Sequence, residues 1–241
     1  MNIGIVIPTY NENENIFDLI KQIDQNLSSK SIEYKIVIVD DSSDNTILNI
    51  LKPYQDKLKY HHRGKKLGRG SAVMIGMKYI LETKFTDLII EMDADMSHDP
   101  GELEKKIDYF LKNNLDLLIS NRYLKNSRIE GWPISRTILS YLSNKLAKFL
   151  LSVPVSDYTN GYRFYSKKAV EYITKKCGKI GDGFIMLSEI LLELYYNNFK
   201  IGETETIFRN RSKGSSKVNL ILLLNSLIGL LKLFIIKIKK Y

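Results

Sequence analysis

The chain has 241 residues, 44% of them hydrophobic, and its 36 Lys+Arg against 27 Asp+Glu leave a formal charge of +9. That length buries a substantial core in one large domain or two small ones. The positive excess points to an anionic partner (nucleotide, phospholipid, nucleic acid or phosphorylated substrate), and the single cysteine, Cys177, excludes an internal disulfide and a Cys-rich metal centre.

The opening MNIGIVIPTYNENEN lacks the basic start and the long apolar run of a signal peptide, so the folded part is expected in the cytoplasm. IGIVIPTY (3–10) is a β-branched run stopped by Pro8, the profile of a buried strand. Ile16, Leu19, Ile20, Ile23 and Leu27 recur at helical intervals. YKIVIVDDSSDNT (34–46) is a second strand ending on Asp40 and Asp41, and the helical TILNILKPY after it is interrupted by Pro53. RGSAVMIGMKYILET (69–83) predicts a helix, and TDLIIEMDAD a third strand. Asp99, Pro100 and Glu102 supply an N-cap, a first-turn proline and a capping-box acid for the next helix. LDLLISNRY (115–123) is a fourth strand, and SDYTNGYRFYSKKAV (156–170) reads as turn, strand and helix. Residues 181–217 read as an apolar helix, a strand and a cationic loop. Strands separated by helices imply an α/β fold with a mostly parallel sheet and right-handed crossovers. No repeat or Gly/Ser linker interrupts the chain, so one domain over 1–217 and a tail over 218–241 are expected.

Polar residues collect where the strands end: Thr9 to Glu12, Asp40 and Asp41, Asp93 and Asp95, Asn121 and Arg122. In open α/β sheets that edge binds ligands. Asp93 and Asp95 follow the apolar LIIEM, and alternate residues of an extended chain point the same way. Two such carboxylates repel unless a cation sits between them, and hard oxygen donors suit Mg²⁺ or Mn²⁺ bridging substrate phosphates. An isolated Asp-x-Asp is more often a solvated turn or a helix cap; the company of the other strand ends favours the metal reading.

Four further segments carry two readings each. HHRGKKLGRGSAVMIG (61–76) sets Arg63, Lys65, Lys66 and Arg69 before a helix whose start holds Gly68 and Gly70; it is a phosphate cradle at a helix N-terminus or a solvated basic loop. Neither a P-loop nor a dinucleotide fingerprint is present, and His61 and His62 lack ligand spacing to a third partner. Arg136 and Ser140 stand at i and i+4 on a predicted helix and, with Arg122, hold an anionic acceptor or lie on a solvated surface. Glu189, among Ile185, Leu187, Ile190 and Leu191, is a functional carboxylate or half of a structural ion pair, while Arg209, Arg211, Lys213 and Lys217 close over a diphosphate or stay solvated. From Leu220 to Ile236 the chain is almost wholly apolar, with Asn225, Gly229 and Lys232 as a thin stripe and Lys237, Lys239 and Lys240 behind it. A free span takes roughly 20 apolar residues, so a helix in the membrane interface, or docked on a membrane partner, fits better than a span or a core helix.

Taken in order, IPTYNENENI, IVIVDDSSDNT, KKLGRGSAVMIGMK, MDADMSHDP, NRY with GWPISRTILS, TNGYRFY and RSKGSSK are similar to the motifs of the polyprenyl (dolichyl) phosphate mannosyltransferases, within inverting glycosyltransferase family 2, over nearly the whole chain. The resemblance implies a GT-A, Rossmann-like fold, a nucleotide-sugar donor, a divalent metal and a polyprenyl phosphate acceptor at the cytoplasmic face of a membrane. It places Pro8, Tyr10, Glu12, Val39 and Asp41 around base and ribose, and Asp93, Ala94 and Asp95 at metal and diphosphate. Arg122, Arg211 and Lys217 are expected on the donor phosphates, and Arg136 and Ser140 on the lipid phosphate. Ser97 stands where many relatives have Gln, at a third metal position, and Asn126 and Ser127 replace a glycine pair after the RY. The expected transfer is of mannose from GDP-mannose, with Asp93, Asp95 and Arg122 as its catalytic residues. A UDP-sugar donor is the alternative, and a non-catalytic nucleotide-binding module a more distant one. A small membrane anchoring subunit is a further expected partner. Nucleic acid is not expected, because no basic face with interleaved aromatics is legible.

Overall fold

The computed structural model describes residues 1–28, 32–84, 86–211 and 220–241, with backbone alone for 220–223. Four parallel strands come first: β1 (Asn2–Thr9), β2 (Glu33–Asp40), β3 (Leu58–His62) and β4 (Leu88–Glu91). β5 (Leu117–Asn121) and β8 (Ile201–Glu205) run parallel with each other, and β7 (Arg163–Ser166) is antiparallel to both neighbours, giving the order β3-β2-β1-β4-β7-β5-β8. The sheet is therefore mostly parallel, as the βαβ pattern predicts. A two-stranded parallel ladder of β6 (Arg128–Glu130) and β9 (Ile207–Arg209) lies outside it.

Both faces of the sheet are covered, and the period of two sorts side chains between them. Ile3, Ile5 and Ile7 of β1, Ile36 and Ile38 of β2 and Ile90 of β4 pack with α1 (Ile16–Ser28) and α4 (Leu103–Lys112). Val6, Val37, Val39 and Ile89 pack on the other face with α3 (Arg69–Glu82), α6 (Lys167–Lys176) and α7 (Ile185–Tyr196). α1 shows why the periodicity is decisive: Ile16, Leu19, Ile20, Ile23 and Leu27 are all buried, each stabilising by about 1.5–3 kcal/mol relative to exposure.

Several expectations need correction. Pro8 does not stop β1, which runs on to Thr9; the ladder to β4 has ended at Val6, so the missing N–H leaves no neighbour unpaired on that side. Pro53 does not end the local helicity either: α2 (Thr46–Ile50) passes into a 3₁₀ helix, Lys52–Lys57, with the proline in its first turn. Asp99 caps as expected, accepting the Gly101 N–H at 2.8 Å, but Glu102 closes no capping box. It accepts instead the Thr206 hydroxyl at 2.6 Å and the Ile207 N–H at 3.0 Å, which ties β9 to the start of α4. β3, β6 and β9 are absent from the sequence reading, because β3 is a half-exposed edge strand and the other two have three residues each.

α5 (Ile134–Leu151) and α8 (Leu220–Lys240) lie against each other, and α8 also packs on α7. Gly229, read as part of a polar stripe, instead faces Ile185 of α7, and Leu230 and Leu233 beside it are buried. Tyr241 stacks on Tyr196 at 4.5 Å, and Lys240 pairs with Glu193 at 2.7 Å, fastening the end of α8. No helix among the described residues is long and apolar enough to cross a membrane.

Candidate active site

β4 ends at Glu91, so Asp93 and Asp95 stand just past the carboxyl edge of the sheet. Their turn is held by short local bonds. The Asp93 N–H donates to His98 Nδ1 at 3.0 Å, the Ser97 N–H donates to Asp95 Oδ1 at 3.1 Å, and Met96 takes a φ of 64°. Since His98 Nδ1 accepts, Nε2 carries the proton and donates to Asn160 Oδ1 at 3.0 Å. Burial lowers the histidine pKa against the pull of Asp93 and Asp95, consistent with this neutral imidazole.

Each carboxylate faces a guanidinium. Arg69 Nε donates to Asp93 Oδ1 at 2.8 Å, and Arg211 Nη2 meets Asp95 Oδ2 at 3.1 Å while its Nη1 lies 3.5 Å from Glu12. Burial works to raise the Asp93 pKa, but the Arg69 charge holds the group below the usual carboxylate range. Among the described residues no three His, Cys, Asp or Glu side chains form a closed metal cage. What is present is an open oxygen set: Asp93 and Asp95, both partly exposed, and the Ser97 hydroxyl, buried without a hydrogen-bond partner. Such a set fits a Mg²⁺ or Mn²⁺ ion that keeps water and phosphate ligands. Ala94 between them is buried.

Pro8 and Val39, expected beside the base, are direct partners in the β1–β2 ladder, and both are buried. Tyr10 follows, with Lys66 Nζ 4.8 Å from its ring centre, and Glu12 accepts from Asn15 at 2.8 Å. Asp41 is engaged from within: Arg63 Nε donates at 2.5 Å, and the N–H groups of Leu67 and Gly68 at 2.8 and 2.9 Å. Gly68 reaches that carboxylate with a φ of 106°, in a region that favours glycine. Of the two readings of this segment, the phosphate cradle is not formed and the solvated loop holds only for its exposed tip, Gly64 to Leu67. The N–H groups at the start of α3 are spent on Asp41 and, from Gly70, on the Asp182 carbonyl at 2.6 Å, while Arg63 and Arg69 turn inward to acids.

Opposite the acids lies a cationic wall. Asp157, fully buried, grips Arg122 in a fork, Nε and Nη2 each donating at 2.8 Å. Trp132 stands between two guanidiniums, Arg136 at 3.9 Å and Arg122 at 5.5 Å from its ring centre. Arg136 also reaches Asn210 at 3.4 Å, and Ser140 accepts the Tyr123 hydroxyl at 2.6 Å. Burial lowers the Arg136 pKa, and the neighbouring charges of Arg211 and Arg122 lower it further. The β6–β9 ladder carries Arg211 to the acids: β9 bridges to His98 through Phe208, and the Arg209 N–H donates to the Ser97 carbonyl at 3.2 Å. Arg209 itself pairs with Asp99 at 2.6 Å and Glu130 at 3.4 Å, away from the acid pair. Lys213 and Lys217 lie outside the described residues.

Among the described residues Glu189 is neither a cleft carboxylate nor half of an ion pair. It accepts the N–H groups of Gly178 and Lys179 at 3.0 and 3.2 Å, and burial raises its pKa. His98, Trp132, Asp157 and Asn160 are candidate-site residues to which the sequence reading gave no role, although MDADMSHDP, GWPISRTILS and TNGYRFY contain His98, Trp132 and Asn160.

The pattern of glycosyl transferase family 2 matches residues 4–174, taking in β1 through the acid pair to α6. The chain belongs to glycosyl transferase family 2. It is 30% identical over 221 residues to the polyprenol monophosphomannose synthase of Mycolicibacterium smegmatis, covering 89% of this chain and 80% of that protein. It is 32% identical over 222 residues to the dolichol-phosphate mannosyltransferase of Pyrococcus furiosus, covering 90% of this chain and 59% of that longer protein. Among solved structures, glucosyl-3-phosphoglycerate synthase from Mycobacterium tuberculosis, crystallised with Mn²⁺, UDP and phosphoglyceric acid, superposes with a TM-score of 0.69 at 15% identity, over 97% of this chain and 78% of that one. S. aureus TarS 1-349 superposes with a TM-score of 0.62 at 16% identity, over 100% and 66%. The two structures establish the fold that this family 2 glycosyltransferase shares with them. Its activity rests on the family and on the mannosyltransferase relatives.

Proposed function

We propose that this glycosyltransferase moves a hexose, most simply mannose from GDP-mannose, onto a polyprenyl phosphate with inversion at the anomeric carbon. One observation carries the reading: an open acid pair at the sheet edge faces a wall of three arginines, Arg122, Arg136 and Arg211, whose charges bear on one another. A site built to hold a metal-bound diphosphate beside a second, unmetallated phosphate needs both poles. Both relatives are named for transfer to a polyprenyl-type phosphate.

A divalent ion held by Asp93 and Asp95, with Ser97 beside it, would neutralise the donor diphosphate and stabilise it as a leaving group. Pro8, Tyr10, Glu12 and Val39 border the base and ribose, while Asp41 holds the Arg63 loop that walls the pocket. Arg122, oriented by Asp157, and Arg211, released from Asp95, take the departing diphosphate, with Lys217 as a third cation. Arg136 and Ser140 bind the lipid phosphate. One of its oxygens attacks the anomeric carbon as the bond to the diphosphate oxygen breaks, and the nucleoside diphosphate leaves with the electron pair. A phosphate monoester with a second pKa of about 6 is already ionised near neutral pH, so no general base is required.

The acceptor also explains α5 and α8. Ile134, Ile138, Leu142 and Phe149 of α5 and Leu227, Leu231 and Ile235 of α8 are exposed, Ile134 and Phe149 by about 80%. This apolar face adjoins a cavity of about 390 Å³ lined by Arg122, Tyr123, Ile129, Thr137, Ile138 and Tyr141. Residues 1–217 then act as the catalytic domain, and 218–241, with α5, rest on a membrane surface or on a small membrane partner. The test is a donor screen with GDP-mannose, UDP-glucose and UDP-GlcNAc against a polyprenyl phosphate, with and without Mg²⁺. Product from GDP-mannose alone is expected, product from a UDP-sugar alone reassigns the donor, and no lipid-linked product from any donor refutes the proposal.

A further inference from the structure

Arg69 belongs to a buried relay rather than to the basic loop that precedes it. From the first turn of α3 its Nη1 donates to Glu91 Oε1 at 2.6 Å, while Nε donates to Asp93 Oδ1 at 2.8 Å. Glu91 is fully buried on β4, and its other oxygen accepts the Tyr165 hydroxyl at 2.7 Å. The main chain opposite makes room for the fork: a Cβ on Gly161 would lie 1.9 Å from Arg69 Nη2. Asp93 Oδ1 is thus fixed through Arg69 and Glu91 to the centre of the sheet. Among the described residues Asp93 Oδ2 takes no hydrogen bond; the neutral His98 ring lies beside it, Nε2 3.8 Å away.

We propose that Arg69 is a positioning residue for the metal ligand Asp93: it holds one carboxylate oxygen on the Glu91–Tyr165 anchor and leaves the other directed to the ion. This rests on the metal reading of the acid pair given above. A competing role has the opposite sign. If Arg69 served only as a stand-in cation, its removal would add net negative charge at the acids and tighten the ion. If it positions Asp93, its removal loosens the ligand and weakens binding, as outer partners of metal ligands typically do by about 10–100-fold.

The test measures Mn²⁺ binding to the full chain by electron paramagnetic resonance, in the presence of GDP. Arg69→Lys keeps the charge but not the fork that spans two acids. Arg69→Met with Glu91→Gln removes both buried charges together, so the net charge around the ion is unchanged, and Tyr165 keeps an acceptor. Both proteins are expected to bind Mn²⁺ at least about tenfold more weakly than the wild type, with metal-free GDP binding unaltered. Wild-type or tighter Mn²⁺ binding by Arg69→Lys overturns the proposal, and so does the same result in a cooperatively melting double variant. If the double variant does not fold, Arg69→Lys decides. A wild-type protein that binds no Mn²⁺ with GDP, or with UDP in its place, overturns the metal reading itself, an outcome distinct from failure of the Arg69 assignment.

Discussion

Asp157→Ala isolates the support behind the cationic wall. The carboxylate accepts five well-placed hydrogen bonds: from the Arg122 N–H at 3.1 Å, Arg122 Nε and Nη2 at 2.8 Å, the Thr159 N–H at 3.2 Å and the Asn160 N–H at 3.0 Å. Both partners are buried, Asp157 completely. Removing one member of a buried pair leaves the other charge uncompensated, which costs about 3–5 kcal/mol. For a chain of this size each kcal/mol moves the melting temperature by about 2–4 °C, so a fall of roughly 10 °C is expected. Asp157→Asn keeps the shape and an acceptor oxygen but not the charge, and its cost is about 1–3 kcal/mol. Urea denaturation with scanning calorimetry measures both. Burial raises the Asp157 pKa and the Arg122 charge outweighs it, leaving the group below its ordinary value. The contribution of the pair is therefore full above the unfolded carboxylate value near 4 and is lost as pH falls through the lower folded one. An Asp157→Ala protein within about 1 kcal/mol of the wild type would refute the reasoning, since surface changes alone lie in that range.

Other expectations concern chemistry, pH and the membrane face. Arg136→Ala should lower kcat/KM for the lipid phosphate about 10–100-fold, the worth of a hydrogen bond to a charged group, and leave donor KM unchanged; steady-state kinetics with each substrate varied will show an effect on the donor if the assignment is wrong. Burial pushes Lys106 down to about 8, although Glu102 pulls the other way. Its unfolded value is about 10.4, so between the two the unfolded chain binds more protons and stability rises with pH. In Lys106→Met that rise should disappear from urea denaturation between about pH 8 and pH 9.5, and an unchanged slope contradicts the assignment. Ile138→Asp with Phe149→Asp should abolish co-sedimentation with phosphatidylglycerol vesicles while the melting temperature stays put, because both side chains are exposed; retained binding would move the membrane contact elsewhere.

What was legible in the sequence was local. β1, β2, β4 and β5 announce themselves as apolar runs, and each ends on the polar residues that the sheet collects at one edge. The five aliphatics of α1 needed only their spacing. The counter-ions were not legible, because they come from distant segments. Arg69 and Glu91 are 22 residues apart, Arg122 and Asp157 are 35 apart, and Glu102 reaches across 104 to Thr206. Two arginines read as either phosphate-binding or solvated, Arg63 and Arg209, are instead tied to acids of the protein itself. Spacing cannot separate a cation awaiting a phosphate from one that already has a carboxylate. Gly229 misled for a related reason: its small size, read as polarity, serves the close approach of α8 to Ile185.

The central claim is that Asp93 and Asp95 act through a divalent ion on a sugar nucleotide, and chelation with refilling tests it most directly. Wild-type protein stripped with EDTA should lose transfer to polyprenyl phosphate and regain it on addition of Mn²⁺ or Mg²⁺. Folded Asp93→Ala protein should stay about 10²–10³-fold below it at any metal concentration, the scale of losing a main electrostatic stabiliser of the leaving group. Undiminished turnover in EDTA, or in Asp93→Ala, would contradict the account.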